Sequence, residues 1–381
     1  MKRVQIVCDL AFGDGGKGVV TDNLVRECPT TPLVVRFSGG PQAAHTVVHG
    51  DQRHVFSSFG SGTLSGAPSY FSRHTCISLV HLFEEWRVLK ALGANPELYI
   101  DPLATLITPA DIAWNRVKER NVARHGSCGK GIGAAMQRNI SSPLKTYAVD
   151  LLHPEALQRK LEKIRAWYIS SKLVGLGKED MCAQFDEEYD EQYHHFADYL
   201  GREYLPFTLQ SWSQILAHDY EHVIFEGSQG ILLDMDHGFF PHVTYANTTS
   251  KNVWELLKNT DFPLNETNQY YVTRCYLTRH GIGWMPNEDA DMCFEDLTNV
   301  HNEWQESLRF GEIDYDLLNY ALEIDRSYHP TFCHTENIVL TCLDQRPDFE
   351  PDWDRFPASM IRWTNHGPES GKMKLVLPKH E

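Results

Sequence analysis

Several things are missing from this chain, and each absence removes a class of function. Nothing in the 381 residues approaches the roughly 20 consecutive apolar residues of a membrane-spanning helix. The nine cysteines (8, 28, 76, 128, 182, 275, 293, 333 and 342) are odd in number, scattered, and never spaced as CxxC. That argues against a zinc site or a disulfide framework and fits a reducing cytoplasm. Positive charge is scarce: 35 Lys and Arg against 51 Asp and Glu leave a formal charge of −16. A broad nucleic-acid surface needs clustered cations, so no nucleic-acid partner is expected, and no membrane partner either. There is no internal repeat and no low-complexity linker. The opening MKRVQIVCDL is basic and then apolar, but Asp9 and Asp14 interrupt it, and no small-residue cleavage site follows. It reads as a first buried strand rather than a signal peptide.

What remains is an ordinary soluble composition, 42% apolar and 23% charged. Short β-like runs recur at residues 4–8, 33–37, 99–100, 223–225, 270–273 and 338–343. Helical patterning lies between them at 80–92, 154–173, 209–218 and 315–324. This alternation predicts an α/β fold with a mainly parallel central sheet flanked by helices, whose ligands sit beyond the carboxyl ends of the strands. A single large domain is expected, with helical insertions over about 80–215 and a C-terminal part over about 335–381. The acidic stretch 178–196 reads as a solvated helix face, with His194 and His195 on the surface rather than on a metal.

Four loops carry candidate chemistry. Phe12-Gly13-Asp14-Gly15-Gly16-Lys17-Gly18 follows the first strand. Its glycines let backbone amides approach phosphate oxygens, and Lys17 can reach a phosphate. It is not GxxxxGK[ST], and a structural tight turn has the same appearance. Arg36 to Thr46 places His45 at a second strand end, where with Asp14 it makes an acid/base candidate. His125 to Gly133 is again Gly-dense, with Ser127, Cys128 and Lys130. Phe225-Glu226-Gly227-Ser228-Gln229-Gly230 opens a polar stretch running through Asp234, Thr244 and Thr249. GxGxxG is absent after the first strand, so a dinucleotide oxidoreductase is not supported.

Together these loops resemble the adenylosuccinate synthetase family. Phe12–Gly18 is similar to QWGDEGKGK, and Gly39–Thr46 to GGxNAGHT. Gly126–Ala134 resembles GTTGRGIGP, and Phe225–Thr249 follows FEGAQGxLLDxDHGTYPxVTSSNTT almost continuously. Leu277–Pro286 resembles TTRVGxGPxP, Thr341–Asp344 resembles TKLD, and Asn365–Pro368 resembles a late SxGP loop. The resemblance covers nearly the whole chain in order. It implies a P-loop-NTPase-like sheet and a ligase that phosphorylates O6 of a 6-oxopurine nucleotide, then joins L-aspartate there. It also implies Mg2+, a homodimer and a cytoplasmic enzyme, in host cytoplasm if viral.

The resemblance assigns roles residue by residue. Asp14 falls on the base that takes the N1 proton, His45 on the acid at O6, and Lys17 on the phosphoryl-holding lysine. Gly13, Gly15, Gly16, Lys17, Gly18, Asp344, Asn365, Gly367 and Pro368 fall on triphosphate positions. Asp14, Gln42, Ala43, Ser127, Cys128, Gln229 and Thr244 fall on purine nucleotide positions. Arg309, Ser307 and Arg279 are the candidates for aspartate, and Asp14 with the Ala44 carbonyl for metal. Departures point to a specialised relative. Asn of NAGH is Gln42, the second Thr of GTTG is Cys128, and the Lys of TKLD is Cys342. A phosphate-binding arginine given by a neighbouring subunit aligns near Ser142, with Lys145 or Arg138 as substitutes, and the aspartate loop is eroded. Specialised relatives of this kind are phage enzymes that take dGMP towards 2-aminoadenine DNA, so dGMP is the favoured acceptor; Asp14, which those enzymes replace by serine, is retained here and keeps IMP with GTP as the close alternative. A non-catalytic nucleotide sensor on the same fold is the remaining alternative.

Overall fold

The computed structural model describes residues 2–377 apart from 123, 125, 203, 259, 263–265, 300, 302 and 331–334. His125 of the third loop, Cys333 and the last four residues therefore lie outside the described residues.

In chain order the strands are β1 (Arg3–Asp9), β2 (Leu33–Arg36), β3 (His45–His49), β4 (Gln52–Phe56), β5 (Ser69–Phe71), β6 (Cys76–Ile77), β7 (Leu98–Ile100), β8 (Thr105–Leu106), β9 (Thr208–Leu209), β10 (His222–Glu226), β11 (Thr267–Arg274), β12 (Tyr276–Arg279), β13 (Arg309–Glu312), β14 (Thr335–Thr341), β15 (Ile361–Asn365) and β16 (Met373–Leu375). The helices are α1 (Lys17–Glu27), α2 (Leu79–Ala91), α3 (Pro109–Asn121), α4 (Ile132–Ser141), α5 (Pro154–Tyr168), α6 (Cys182–Ala197), α7 (Trp212–Leu216), α8 (Lys251–Leu257) and α9 (Tyr315–Arg326).

Among the described residues, ten strands form one sheet in the order β16-β15-β14-β11-β1-β10-β2-β5-β7-β9. Every neighbouring pair is parallel except β15 with β16. Parallel strands covered on both faces must be apolar on both, and the centre obeys this. Val4, Ile6 and Cys8 of β1 pack into one layer with Leu33, Val35 and Phe225. Val7 packs into the other with Val34, Ile224, Val272 and helix α1. The mainly parallel α/β architecture expected from the alternation is thus present.

Four charged residues stand in steps along the carboxyl edge. Glu226 of β10 pairs with Arg36 of β2, and Asp9 of β1 lies beside Val272, two residues before Arg274 of β11. Those residues begin the loops that carry the motifs.

Helices α2–α6 fill the segment between β6 and β9, while β7 and β9 thread back to extend the main sheet. Helix α3 starts at Thr108-Pro109-Ala110-Asp111, where Thr108 and Asp111 form a reciprocal capping box and Pro109 occupies the first turn. Two expectations need correction here. The helix expected over 209–218 is only Trp212–Leu216, because Thr208–Leu209 pair with β7 instead. The acidic helix is not simply solvated: Phe185, Tyr189 and Phe196 of α6 are buried, and buried Glu188 takes Arg116 and Arg120. His194 and His195 are exposed, as read.

Arg138 is also reassigned. It is fully buried, and donates to Asp111 at 2.8 and 2.9 Å, Asn139 at 2.8 Å, Thr146 at 2.7 Å and the Leu144 carbonyl at 2.5 Å. So committed a guanidinium holds the α3–α4 junction and is not available to a nucleotide. Lys145 is exposed, and Ser142 is buried.

Breaking a buried pair leaves an uncompensated charge, which costs about 3–5 kcal/mol. Arg138→Ala should therefore lower unfolding free energy by about that amount in urea denaturation. A loss below about 1 kcal/mol would remove Arg138 from its structural role.

Candidate active site

The opening loop is built on one carboxylate. Asp9, at the end of β1, accepts the Ala11 N–H at 3.0 Å, the Gly15 N–H at 2.7 Å and Lys17 Nζ at 2.9 Å. Asp9 and Lys17 are both buried. Glycine at 15 leaves room for this arrangement, because a Cβ there would lie 2.6 Å from Asp9 Oδ2 and the carboxylate would have to shift. Gly15's amide is thus taken by Asp9. Of the loop residues expected at the triphosphate, Gly13, Gly16, Lys17 and Gly18 line the cleft beyond the sheet edge, and Gly15 does not.

The second loop meets the fourth through Gly39, whose Cβ would fall 2.0 Å from Ser228 Oγ. Beyond this contact β3 begins with His45. His45 Nδ1 lies 2.7 Å from Glu226 Oε1, while Nε2 is buried and has no partner among the described residues. Glu226 also accepts from Ser61, through the backbone N–H at 3.1 Å and through the hydroxyl. Burial would raise the Glu226 carboxyl, but His45, Arg36 and Ser61 outweigh burial and hold it at about 2. Burial also dominates His45 and lowers it below 6.5; Glu226 opposes this, and Arg36 and Lys17 add to it. The resting ring is therefore a neutral imidazole donating Nδ1–H to an anion. An incoming phosphoryl oxygen would favour its charged form, with Glu226 stabilising the cation.

These loops enclose a cleft of about 1100 Å³. Asp14, Lys17, His45, Gln42, Ala43, Ala44, Ser127, Cys128, Gln229 and Thr244 all line it, as do Asp344, Asn365, Gly367 and Pro368. Gln42 Nε2 approaches Gln229 Oε1 at 3.5 Å, and Gln42 Oε1 has no partner among the described residues. Burial raises the Cys128 thiol, so it stays protonated. Lys130 donates to the Pro41 carbonyl at 2.7 Å, joining the second and third loops.

A matching family model, described as adenylosuccinate synthetase, spans residues 6–349. The chain belongs to the adenylosuccinate synthetase family. It is a carbon–nitrogen ligase of that type, and the family's substrates are a purine nucleotide, GTP or ATP, and aspartate. Adenylosuccinate synthetase from Dichelobacter nodosus is 29% identical over 91% of this chain and 79% of its own. The one from Coxiella burnetii is 30% identical over 90% and 77%, and the one from Clostridium botulinum is 33% identical over 84% and 74%. Two solved structures share the fold. Fully ligated Plasmodium falciparum adenylosuccinate synthetase has a TM-score of 0.72 at 19% identity, covering 98% of this chain and 100% of that one. Cyanophage S-2L succinoaminodeoxyadenylate synthetase, bound to dGMP and dATP, has 0.68 at 17% identity, covering 98% and 95%.

Within this adenylosuccinate synthetase framework the aspartate candidates separate. Arg279 lines the cleft, but its guanidinium donates to the Trp284 and His242 carbonyls at 2.7 and 2.8 Å and lies 4.4 Å from the Phe12 ring. Burial first, then nearby Arg309, lowers it to about 10. Arg309 is paired with Glu288 at 2.5 Å and donates to the Gly283 carbonyl; neither it nor exposed Ser307 is on the cleft wall. Arg274 and the segment Asp296–Asn299 on the wall lie outside every quoted motif, and His280 lies within Leu277–Pro286 but had no role assigned. Glu226 stood in a quoted motif but without a role, and Asp9 seemed only to interrupt an apolar run.

The depressed Glu226 carboxyl has a consequence for acid stability. Its contribution is complete above the ordinary 4.5 and lost as pH falls towards about 2. Glu226→Gln should destabilise the protein near neutrality and flatten its stability profile between pH 4.5 and 2. Urea midpoints measured across that range check it; an unchanged profile would remove the ion pair from the argument.

Proposed function

We infer that the protein transfers the terminal phosphoryl group of ATP or GTP to O6 of a 6-oxopurine nucleotide, then couples L-aspartate, with dGMP as the favoured acceptor. The product would be the N6-succinyl derivative of 2-amino-2'-deoxyadenylate. The observation that carries this reading is the sharing of one cleft wall by Asp14, Lys17 and His45, with Glu226 behind the imidazole.

A lactam oxygen is a poor leaving group, and phosphorylation makes it a good one. Asp14 takes the N1 proton, which raises electron density on O6. O6 attacks the terminal phosphorus, and the bond to the departing diphosphate breaks. His45 donates to the developing negative charge, help typically worth ~10²–10⁴ in rate. Lys17 and the amides of Gly16 and Gly18 position the phosphoryl group, since positioning and charge stabilisation dominate such transfers. The amine of aspartate then attacks C6, and phosphate leaves with the C6–O bond broken.

Among the described residues no three His, Cys, Asp or Glu side chains gather as a metal cage. One carboxylate, Asp14, and one backbone carbonyl, Ala44, on the cleft wall suit Mg2+, which takes its other ligands from phosphates and water. When bound, Mg2+ neutralises phosphate charge. A homodimer is part of this reading.

Support for dGMP comes from the altered positions Gln42, Cys128 and Cys342, and from likeness to the cyanophage enzyme bound to dGMP and dATP. A second reading, IMP with GTP, draws on retained Asp14 and on the adenylosuccinate synthetases among the relatives.

Phosphate release should require nucleotide, triphosphate and aspartate together, with kcat/KM higher for dGMP than for IMP. His45→Ala should lower turnover by more than ~10-fold, read on protein shown to be folded because the substitution also removes the buried partner of Glu226. Preference for IMP would select the second reading, and nucleotide binding without turnover on either acceptor would end the ligase reading.

A further inference from the structure

Asp14 sits in a closed ring of polar contacts. Its backbone is left-handed (φ 59°), a conformation uncommon for a residue with a side chain. Arg274 Nε donates to its carbonyl at 2.5 Å. His280 Nε2 stands 3.5 Å from its Oδ2 and 3.1 Å from Asn299 Oδ1. Asn299 Nδ2 donates to Asp296 Oδ2 at 2.9 Å, and Asp296 accepts Arg274 Nη2 at 2.8 Å, which closes the ring.

The chemistry of the ring orients its members. Because Asn299 turns its amide nitrogen to the Asp296 carboxylate, its oxygen faces His280. Nε2 of His280 must then carry the hydrogen, and that hydrogen faces Asn299 with the Asp14 carboxylate beside it. Asp296 is held in turn by the Thr298 and Asn299 backbone N–H groups, both at 2.9 Å. Thr298 Oγ1 contacts Thr46 Oγ1 at 2.5 Å and Arg53 Nη2 at 2.6 Å, so the same segment is tied to the strand that begins with His45.

We propose that His280 is a positioning residue, which with Asn299 holds the Asp14 carboxylate in its working orientation. The segment Asp296–Asn299 thereby registers Asp14 against the strand of His45. The segment that Leu277–Pro286 resembles carries valine at this place, so the ring is a feature of this chain's own residues. The inference rests on Asp14 acting at the purine N1.

The test compares His280→Val, His280→Gln, Asn299→Ala and the double variant His280→Val/Asn299→Ala by steady-state phosphate release with saturating aspartate and triphosphate. A misplaced base costs chemistry, not affinity. His280→Val should lower kcat about 10-fold with nucleotide KM within about twofold. His280→Gln, whose amide nitrogen can occupy the Nε2 position, should recover most of that loss. The double variant should be no slower than the slower single variant, since both break one ring. Full kcat in His280→Val, equal loss in Val and Gln, multiplicative losses, or a change confined to KM would each overturn the proposal. If His280→Val does not fold, Asn299→Ala and His280→Gln carry the same comparison: Asn299→Ala should lose kcat and His280→Gln should keep most of it. Asp14→Ala separates the two levels. Its full activity would remove Asp14 from the chemistry, whereas inactivity beside an unaffected His280→Val would sink only the ring.

Discussion

The Asp9 carboxylate is the constraint from which the active-site edge is organised. It lies at the end of the central strand, buried, and its oxygens take two backbone N–H groups and one ammonium. An unpaired buried charge would be too costly to retain, so the loop must wrap back to supply those donors. That wrapping puts Asp14 in a left-handed turn, aims the start of α1 at the cleft, and fixes where Lys17 can be.

A second buried carboxylate works in parallel on the neighbouring strand. Glu226 holds His45 at one nitrogen and leaves the other without a partner, while Arg36 and Ser61 keep the carboxylate ionised. The chain carries a net charge of −16, yet its cleft wall includes Arg53, Arg116, Lys130, Arg274 and Arg279 beside Lys17. Local cations and glycine-exposed amides can therefore offset the global negative charge at this cleft.

Much of this was legible in sequence order. Buried β-runs at 4–8, 33–37 and 223–225 have the all-apolar character that parallel strands need, and all became neighbours in the sheet. Glycine-dense loops after those runs marked the site, because close backbone approach demands glycine. The short helix Trp212–Leu216 was misjudged, since pairing of Thr208–Leu209 with β7 overrode local periodicity. Arg138 was misjudged too, because nothing local to an exposed-looking amphipathic segment announces that Asp111 lies beneath it.

Motif resemblance along the sequence identified the family, while strand periodicity and glycine spacing, which are local properties, indicated the sheet and the placing of Asp14, Lys17 and His45 in or next to strand-end loops. Tertiary structure decided which charges are free to act. Arg279 is held by carbonyls, Arg309 by Glu288, Gly15 by Asp9, and Asp14 is ringed by Arg274, His280, Asp296 and Asn299. Such pairings join residues far apart in the chain, and burial makes each of them obligatory. No spacing rule along the polypeptide encodes which donor will meet which acceptor.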